Sequence, residues 1–185
     1  MKRIKINQIE KRIGKKLKNK SIAIGFDIAK RLTGIAVLRT HRSTLEIVKL
    51  HKINNQKGDL IESMEYFIGE LNNFISGLNL GKNNKIFVIE DCWFGQNVTT
   101  LKVLARFSAL TWRELKHIPD HIYFILPTTS RSKVGFKKDK NDKRKAKVQV
   151  LNYVNKLFGL DLKQKDMDLS DGIILALSGL IKLEE

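Results

Sequence analysis

The chain has 185 residues, 42% of them hydrophobic, and 35 Lys and Arg against 19 Asp and Glu give it a formal net charge of +16. That length supports one hydrophobic core rather than two, and no apolar run reaches the ~20 residues of a membrane-spanning helix or reads as a signal segment, so neither a membrane protein nor a secreted one is expected. The positive charge exceeds what solubility requires and calls for an anionic partner, nucleic acid before membrane surface.

The single cysteine, Cys92, excludes an internal disulfide and reads as a buried thiol in a reducing compartment such as the cytoplasm. Residues 1–20 are rich in lysine and arginine, with Glu10 as the only acid. They read as a basic arm outside the main domain, either solvated or gripping phosphates, with mitochondrial targeting as a lesser alternative.

Strands are predicted at 21–27, 33–39 and 45–53, joined by polar turns into an antiparallel meander, with Lys30 and Arg31 in the first turn. From 59 to 78 the apolar residues Ile61, Met64, Ile68, Leu71, Ile75 and Leu78 recur at intervals of three and four, one face of a helix. That helix is the crossover that lets the next strand, 86–90, lie parallel to an earlier one. Asn97 suits the N-cap of a second helix reaching about 115. A fifth strand at 122–126 precedes a strongly basic loop from 128 to about 142. A third helix spans 143–158 and stops at Gly159, where a left-handed residue is wanted; a last helix spans 169–183 with Asp168 as its cap. The fold class is therefore α/β, with a five-stranded mixed sheet of three antiparallel then two parallel strands flanked by helices, and residues 21–185 form one domain.

Four acids occupy special positions. Asp27 lies on an otherwise apolar strand, where a carboxylate needs a cation, a metal or hydrogen bonds to compensate burial. Glu90 ends the fourth strand, and the crossover makes it a neighbour of Asp27. Asp168 and Asp171 are one helical turn apart. Carboxylates brought so close repel unless cations neutralise them, and an all-oxygen set suits Mg2+ or Mn2+ rather than zinc. Two such ions acting on one phosphate support in-line hydrolysis of a phosphodiester. Each acid alone has an ordinary explanation: capping and the helix dipole for Asp168 and Asp171, a turn for Asp27, a strand end for Glu90. The case for chemistry rests on their joint placement. Around them Arg131, Lys133, Lys137, Lys138, Lys140, Lys143, Arg144 and Lys145 form a basic segment suited to phosphate contacts, which give affinity without sequence information. Lys30 and Arg31 either hold a phosphate or balance nearby carboxylates, and Phe136 either stacks on a base or anchors its loop. The four histidines have no metal-ligand spacing.

The segment IGFDIAKRLTGIAVL, the strand end IEDCWFGQN and the helix DLSDGIILAL together resemble, in matching order from Ser21 to Ile181, the RuvC-like Holliday junction resolvases of the RNase H-like superfamily. The resemblance implies an RNase H-like nuclease domain with Asp27, Glu90, Asp168 and Asp171 as catalytic metal ligands for two Mg2+ ions, which Mn2+ could replace. It implies a homodimer nicking opposite strands of a four-way DNA junction. Lys147 and Gln149 resemble a Lys-x-Gln pair whose lysine lies near the scissile phosphate, against the reading of an ordinary solvated lysine. Trp93 resembles an aromatic residue inserted at the junction centre, against the reading of a core tryptophan. The sequence departs from the family at Ile28 and Ala29, where Pro-Gly is usual, and at Leu104, Ala105, Arg106 and Phe107, where glycines are usual.

The expected function is thus a Mg2+-dependent, structure-selective endonuclease in a bacterial or viral setting, with no membrane partner and no sign of a branch-migration motor. The alternatives are an RNase H-like nuclease acting on RNA/DNA hybrid or flap DNA, and a noncatalytic DNA-binding module. An ATPase of the actin and sugar-kinase type, whose first hairpin looks similar, needs two such domains and a longer chain.

Overall fold

Alternation of side-chain size along the strands sorts the chain onto two faces of one sheet. The computed structural model describes residues 2–55, 58–92, 97–142 and 144–182. Its elements are β1 (Lys2–Lys5), α1 (Ile6–Ile13), β2 (Ser21–Asp27), β3 (Leu32–His41), β4 (Thr44–Asn54), α2 (Leu60–Ser76), β5 (Asn84–Glu90), α3 (Val98–Leu115), β6 (His121–Ile125), α4 (Pro127–Lys133), α5 (Ala146–Phe158) and α6 (Met167–Leu180). The sheet order is β1-β4-β3-β2-β5-β6. Strands β1 to β4 pair antiparallel, whereas β2–β5 and β5–β6 are parallel, as the crossover through α2 requires.

On β2 the large residues Ile22, Ile24 and Phe26 enter one core with Phe67 and Leu71 of α2, Phe87 and Ile89 of β5, and Phe107 and Leu115 of α3. The intervening residues are small, Ser21, Ala23 and Gly25, and the last is Asp27. Ala23 joins the opposite core with Ile86 and Val88 of β5 and with residues of α1, α5 and α6. A strand's period of two therefore places Asp27 and Glu90 on the side of the sheet that carries α6.

Helix α6 is buried from Leu169 to Leu180, so it reads as apolar on all sides. It reaches the sheet backbone through glycines. A β-carbon at Gly25 would run into the backbone of Gly172 and Ala176, and one at Gly34 into that of Asp168. At the helix's other end a β-carbon at Gly179 would meet the side-chain methyls of Val88 and Ile86 on β5. The acids at the start of α6 are thereby held beside the ends of β2 and β3.

Residues 2–17 correct the expectation of a basic arm. Strand β1 pairs with β4, and Ile9, Ile13 and Leu17 are buried, so Ile9 and Ile13 form the inner face of a short amphipathic helix and the sheet has six strands among the described residues rather than five. Leu17 bridges to Ile181 beyond the end of α6. The loop expected from 128 begins instead as α4, with Pro127 at its start, where the missing N–H costs nothing. Helix α5 starts at Ala146, three residues later than expected. No helix among the described residues is long and apolar enough to cross a membrane.

Gly34→Ala is expected to unseat α6, because the obstruction is backbone and cannot rotate away. Overpacking of this kind costs typically about 1–3 kcal/mol, which a thermal melt reads as a Tm lower by about 2–4 °C for each kcal/mol in a chain of this size. An unchanged Tm would show that α6 has room at Gly34.

Candidate active site

Three elements deliver carboxylates to one place. Strand β2 ends in Asp27, which is only 4% exposed. Strand β5 ends in Glu90 one register step beyond the pair Phe26 and Ile89, beside the Asp27 carboxyl. Helix α6 adds Asp168 and Asp171. The helix begins at Met167 rather than at 169, so Asp168 lies in its first turn and is not its cap. The preceding Asp166 is spent elsewhere, accepting from Lys52 Nζ at 2.8 Å and from the Lys163 N–H at 3.0 Å.

Lys147, in the first turn of α5, reaches into the middle. Its Nζ lies 3.2 Å from Asp168 Oδ1, 3.5 Å from Asp171 Oδ2 and 3.7 Å from Asp27 Oδ2. A second cation approaches from α4: Arg131 Nη2 donates to Asp171 Oδ1 at 2.8 Å. Two carboxylate oxygens, Asp27 Oδ2 and Asp171 Oδ2, are buried without a hydrogen-bond partner.

Burial pushes the Asp27 carboxyl well above the usual carboxylate range; Glu90 and Asp171 add to the rise, and only Lys147 opposes it. Burial alone would lower Lys147, but Asp27, Asp171 and Asp168 together outweigh it and hold the ammonium above its ordinary value. Lys147 thus stands as an internal counter-ion for three acids. Among the described residues no group of three or more His, Cys, Asp or Glu side chains is arranged to hold a metal ion, and it is Lys147 that lies between the acids. The donor chemistry nevertheless fits a hard divalent cation: all donors are oxygens, and two are desolvated with no donor of their own.

Asp27, Glu90 and Lys147 open onto a cleft of about 520 Å3, also lined by Ile28, Ala29, Lys30, Arg31, Thr99, Thr100, Val103 and Leu104. The turn after β2 forms one wall. The first turns of α3 form the other, after the Asn97 side chain caps the helix by accepting from Thr100 N–H at 2.8 Å.

A family model described as crossover junction endodeoxyribonuclease RuvC matches residues 23–179. The chain belongs to this RuvC family. Its fold is the RNase H-like one of solved relatives: RuvC of Thermus thermophilus in complex with Holliday junction substrate (11% identity, 85% of this chain and 91% of that one, TM-score 0.65), Thermus thermophilus RuvC (15%, 87% and 98%, 0.61), and the yeast mitochondrial Holliday junction resolvase Ydc2 (12%, 93% and 82%, 0.61). No curated protein matches. Membership makes the chain a junction-resolving nuclease, and β1 and α1 lie outside the residues that the RuvC model covers.

The basic residues expected to meet DNA divide in this RuvC-family structure. Lys30 and Arg31 are exposed on the cleft. Lys137, Lys138 and Lys140 are exposed on the loop before α5, and Lys145 is exposed at its end. Arg144 is engaged with Asp142, Nη2 to Oδ2 at 2.6 Å. Lys133 lies apart from the acids, in a small recess with Lys18, Tyr123 and Ser178. Arg131 is turned inward. Trp93 and Lys143 lie outside the described residues. Phe136 anchors its loop edge-on to Tyr153, with ring centroids 5.6 Å apart. Gln149 organises that loop, its side chain accepting from Asp139 N–H and donating to the carbonyls of Asp139, Asp142 and Arg144. The cleft residues Thr99, Thr100 and Val103 escape sequence reasoning; their one signal is their place just after the cap that follows Glu90.

Because the folded Asp27 holds its proton to higher pH than the unfolded chain, its contribution to metal-free stability is present below the ordinary carboxylate pKa and lost as pH rises through the raised one. Asp27→Asn, neutral at every pH, is therefore expected to raise the Tm of metal-free protein at pH 8 and to match wild type near pH 4. Equal melting at both pH values would mean that the buried carboxylate is not strained.

Proposed function

We propose that this site hydrolyses phosphodiester bonds in branched DNA, a four-way junction above all, with divalent cations held by Asp27, Glu90, Asp168 and Asp171. The observation that carries the reading is the pair of buried carboxylate oxygens, Asp27 Oδ2 and Asp171 Oδ2, that have no hydrogen-bond donor and face one lysine. When bound, Mg2+ or Mn2+ supplies an activated water and charge stabilisation at the leaving oxygen.

The remaining roles belong to the chain. Four carboxylates face two cations, Lys147 and Arg131. When all are ionised two negative charges are left, the charge of one divalent ion. With Lys147 turned away three negative charges would be left, and a phosphate in the cleft would add the fourth that two divalent ions need; the Lys147 side chain, 47% exposed, is free to turn toward that phosphate. Lys30 and Arg31 flank that path, placed to hold the strand across the acids. The loop lysines extend the phosphate track without reading sequence. Each chain has one such site, so paired nicking of a two-fold symmetric junction calls for a homodimer.

Purified protein is to be incubated with four-way, three-way, flap and linear DNA and with RNA/DNA hybrid, in Mg2+ or EDTA. Wild type is expected to nick the four-way junction in Mg2+ alone, and Asp27→Asn to bind it without cutting. Undiminished cutting by Asp27→Asn would remove the acids from the chemistry, and cutting confined to the hybrid would reassign the substrate.

Replacing Lys137, Lys138 and Lys140 together by Ala is expected to weaken binding to every DNA tested. It should flatten the slope of log K against log salt by up to about 0.9 for each phosphate that the loop no longer neutralises. An unchanged slope would take the loop out of the interface.

A further inference from the structure

We propose that Arg131 is a positioning residue for Asp171, not a DNA contact; the proposal rests on the reading of Asp171 as a metal ligand given above. The basic neighbours of Arg131 predict a residue that faces a phosphate, but its side chain is only 16% exposed and the Asp171 carboxylate it meets only 6%. Nη2 holds Asp171 Oδ1 at 2.8 Å, while Nε is buried without a partner. Nη2 and Nε are thus committed inward, toward α6 and away from a phosphate track.

What the contact does follows from carboxylate geometry. With Oδ1 held, rotation about the last side-chain bond of Asp171 is blocked and Oδ2 faces Lys147 and the other acids, at 3.5 Å from Nζ. Oδ2 is the oxygen left without a donor, hence the one offered to a cation. A residue that fixes a metal-binding carboxylate through its second oxygen acts on metal affinity without touching the metal, and a planar guanidinium fixes orientation where a point charge does not.

The element carrying Arg131 is itself braced. Buried Ser130 donates to the Pro127 carbonyl at 2.9 Å, and the Tyr153 hydroxyl donates to the Val134 carbonyl. Gly135, at φ +77, sits so near α1 that a β-carbon would lie 3.2 Å from the Ile13 carbonyl oxygen. The segment outside the RuvC match therefore backs α4, α4 aims Arg131, and Arg131 orients Asp171.

The test measures Mn2+ binding to DNA-free protein by electron paramagnetic resonance, and junction binding in EDTA, for Arg131→Met, Arg131→Gln and Asp171→Asn. Arg131→Met is expected to weaken Mn2+ binding by about 10–100-fold, the usual cost of removing an outer-shell partner. Arg131→Gln, whose shorter side chain ends before the Nη2 position, should weaken it to a similar extent, and both should bind junction DNA as wild type does. Mn2+ binding by Arg131→Met as tight as wild type or tighter would make Arg131 a mere countercharge and overturn the proposal. So would a loss of junction affinity in EDTA by Arg131→Gln, an outcome readable even if Arg131→Met does not fold. Asp171→Asn separates this proposal from its premise: if it binds Mn2+ like wild type, the ligand assignment has failed. If it loses Mn2+ while Arg131→Met does not, only the role of Arg131 has failed.

Discussion

Everything at the site depends on how closely the α6 backbone lies against β2 and β3. Gly25 and Gly34 supply no β-carbon where the helix backbone passes, and Gly172 does the same from the helix side. This contact sets the depth of the acids. With side chains in the gap the helix would stand off the sheet, and Asp168 and Asp171 would leave Asp27, since hydrogen-bond and coordination distances tolerate only a few tenths of an ångström. The small-residue face of β2 is thus the structural cause of the carboxylate cluster.

That closeness places like charges in a desolvated space, and the chain offsets them unequally. Asp171 receives a guanidinium on one oxygen and Lys147 near the other. Asp168 receives Lys147 at hydrogen-bond distance and lies in the first turn of a helix, where the dipole favours negative charge. Asp27 has Lys147 at 3.7 Å, and burial first, then Glu90 beside it, drives its carboxyl upward. A buried carboxylate with so little compensation gains most from an incoming cation. Asp27 is in that sense the centre of the site, and the others are arranged about it.

Much of this is legible in the sequence, because the relevant signals are local or repeat with a short period. The alternation in SIAIGFD, the threes and fours of α2, the Asn97 cap and the one-turn spacing of Asp168 and Asp171 each belong to one element, and the crossover rule joins β2 to β5. Where legibility fails, the deciding contact is distant in sequence or the element too short to show a period. Strand β1 has four residues and α1 eight, and lysines between the isoleucines hide a face buried only by packing on α5 and α6. Helix α4 is seven residues of Pro, Thr, Ser, Arg and Lys, poor formers or neutral ones apart from the last two, and packing on α6 rather than propensity makes it a helix. The Arg131–Asp171 pair spans 40 positions, and nothing near Arg131 distinguishes it from the exposed lysines that follow.

Net charge therefore says less about a nucleic-acid partner than its distribution does. The basic residues before α5 read as one patch, yet one of them is turned inward against Asp171, another is engaged with Asp142, and a third sits in a separate recess, while Lys137, Lys138 and Lys140 remain exposed. The two cations within the acid cluster differ in the same way: Arg131 is fixed and permanently charged, whereas Lys147 is half exposed on a flexible stem. Substitution of one for the other would invert these properties, giving a mobile charge beside Asp171 Oδ1 and a rigid one among Asp27, Asp168 and Asp171. The choice of arginine on α4 and lysine on α5 is thus as much a part of the site as the acids they face.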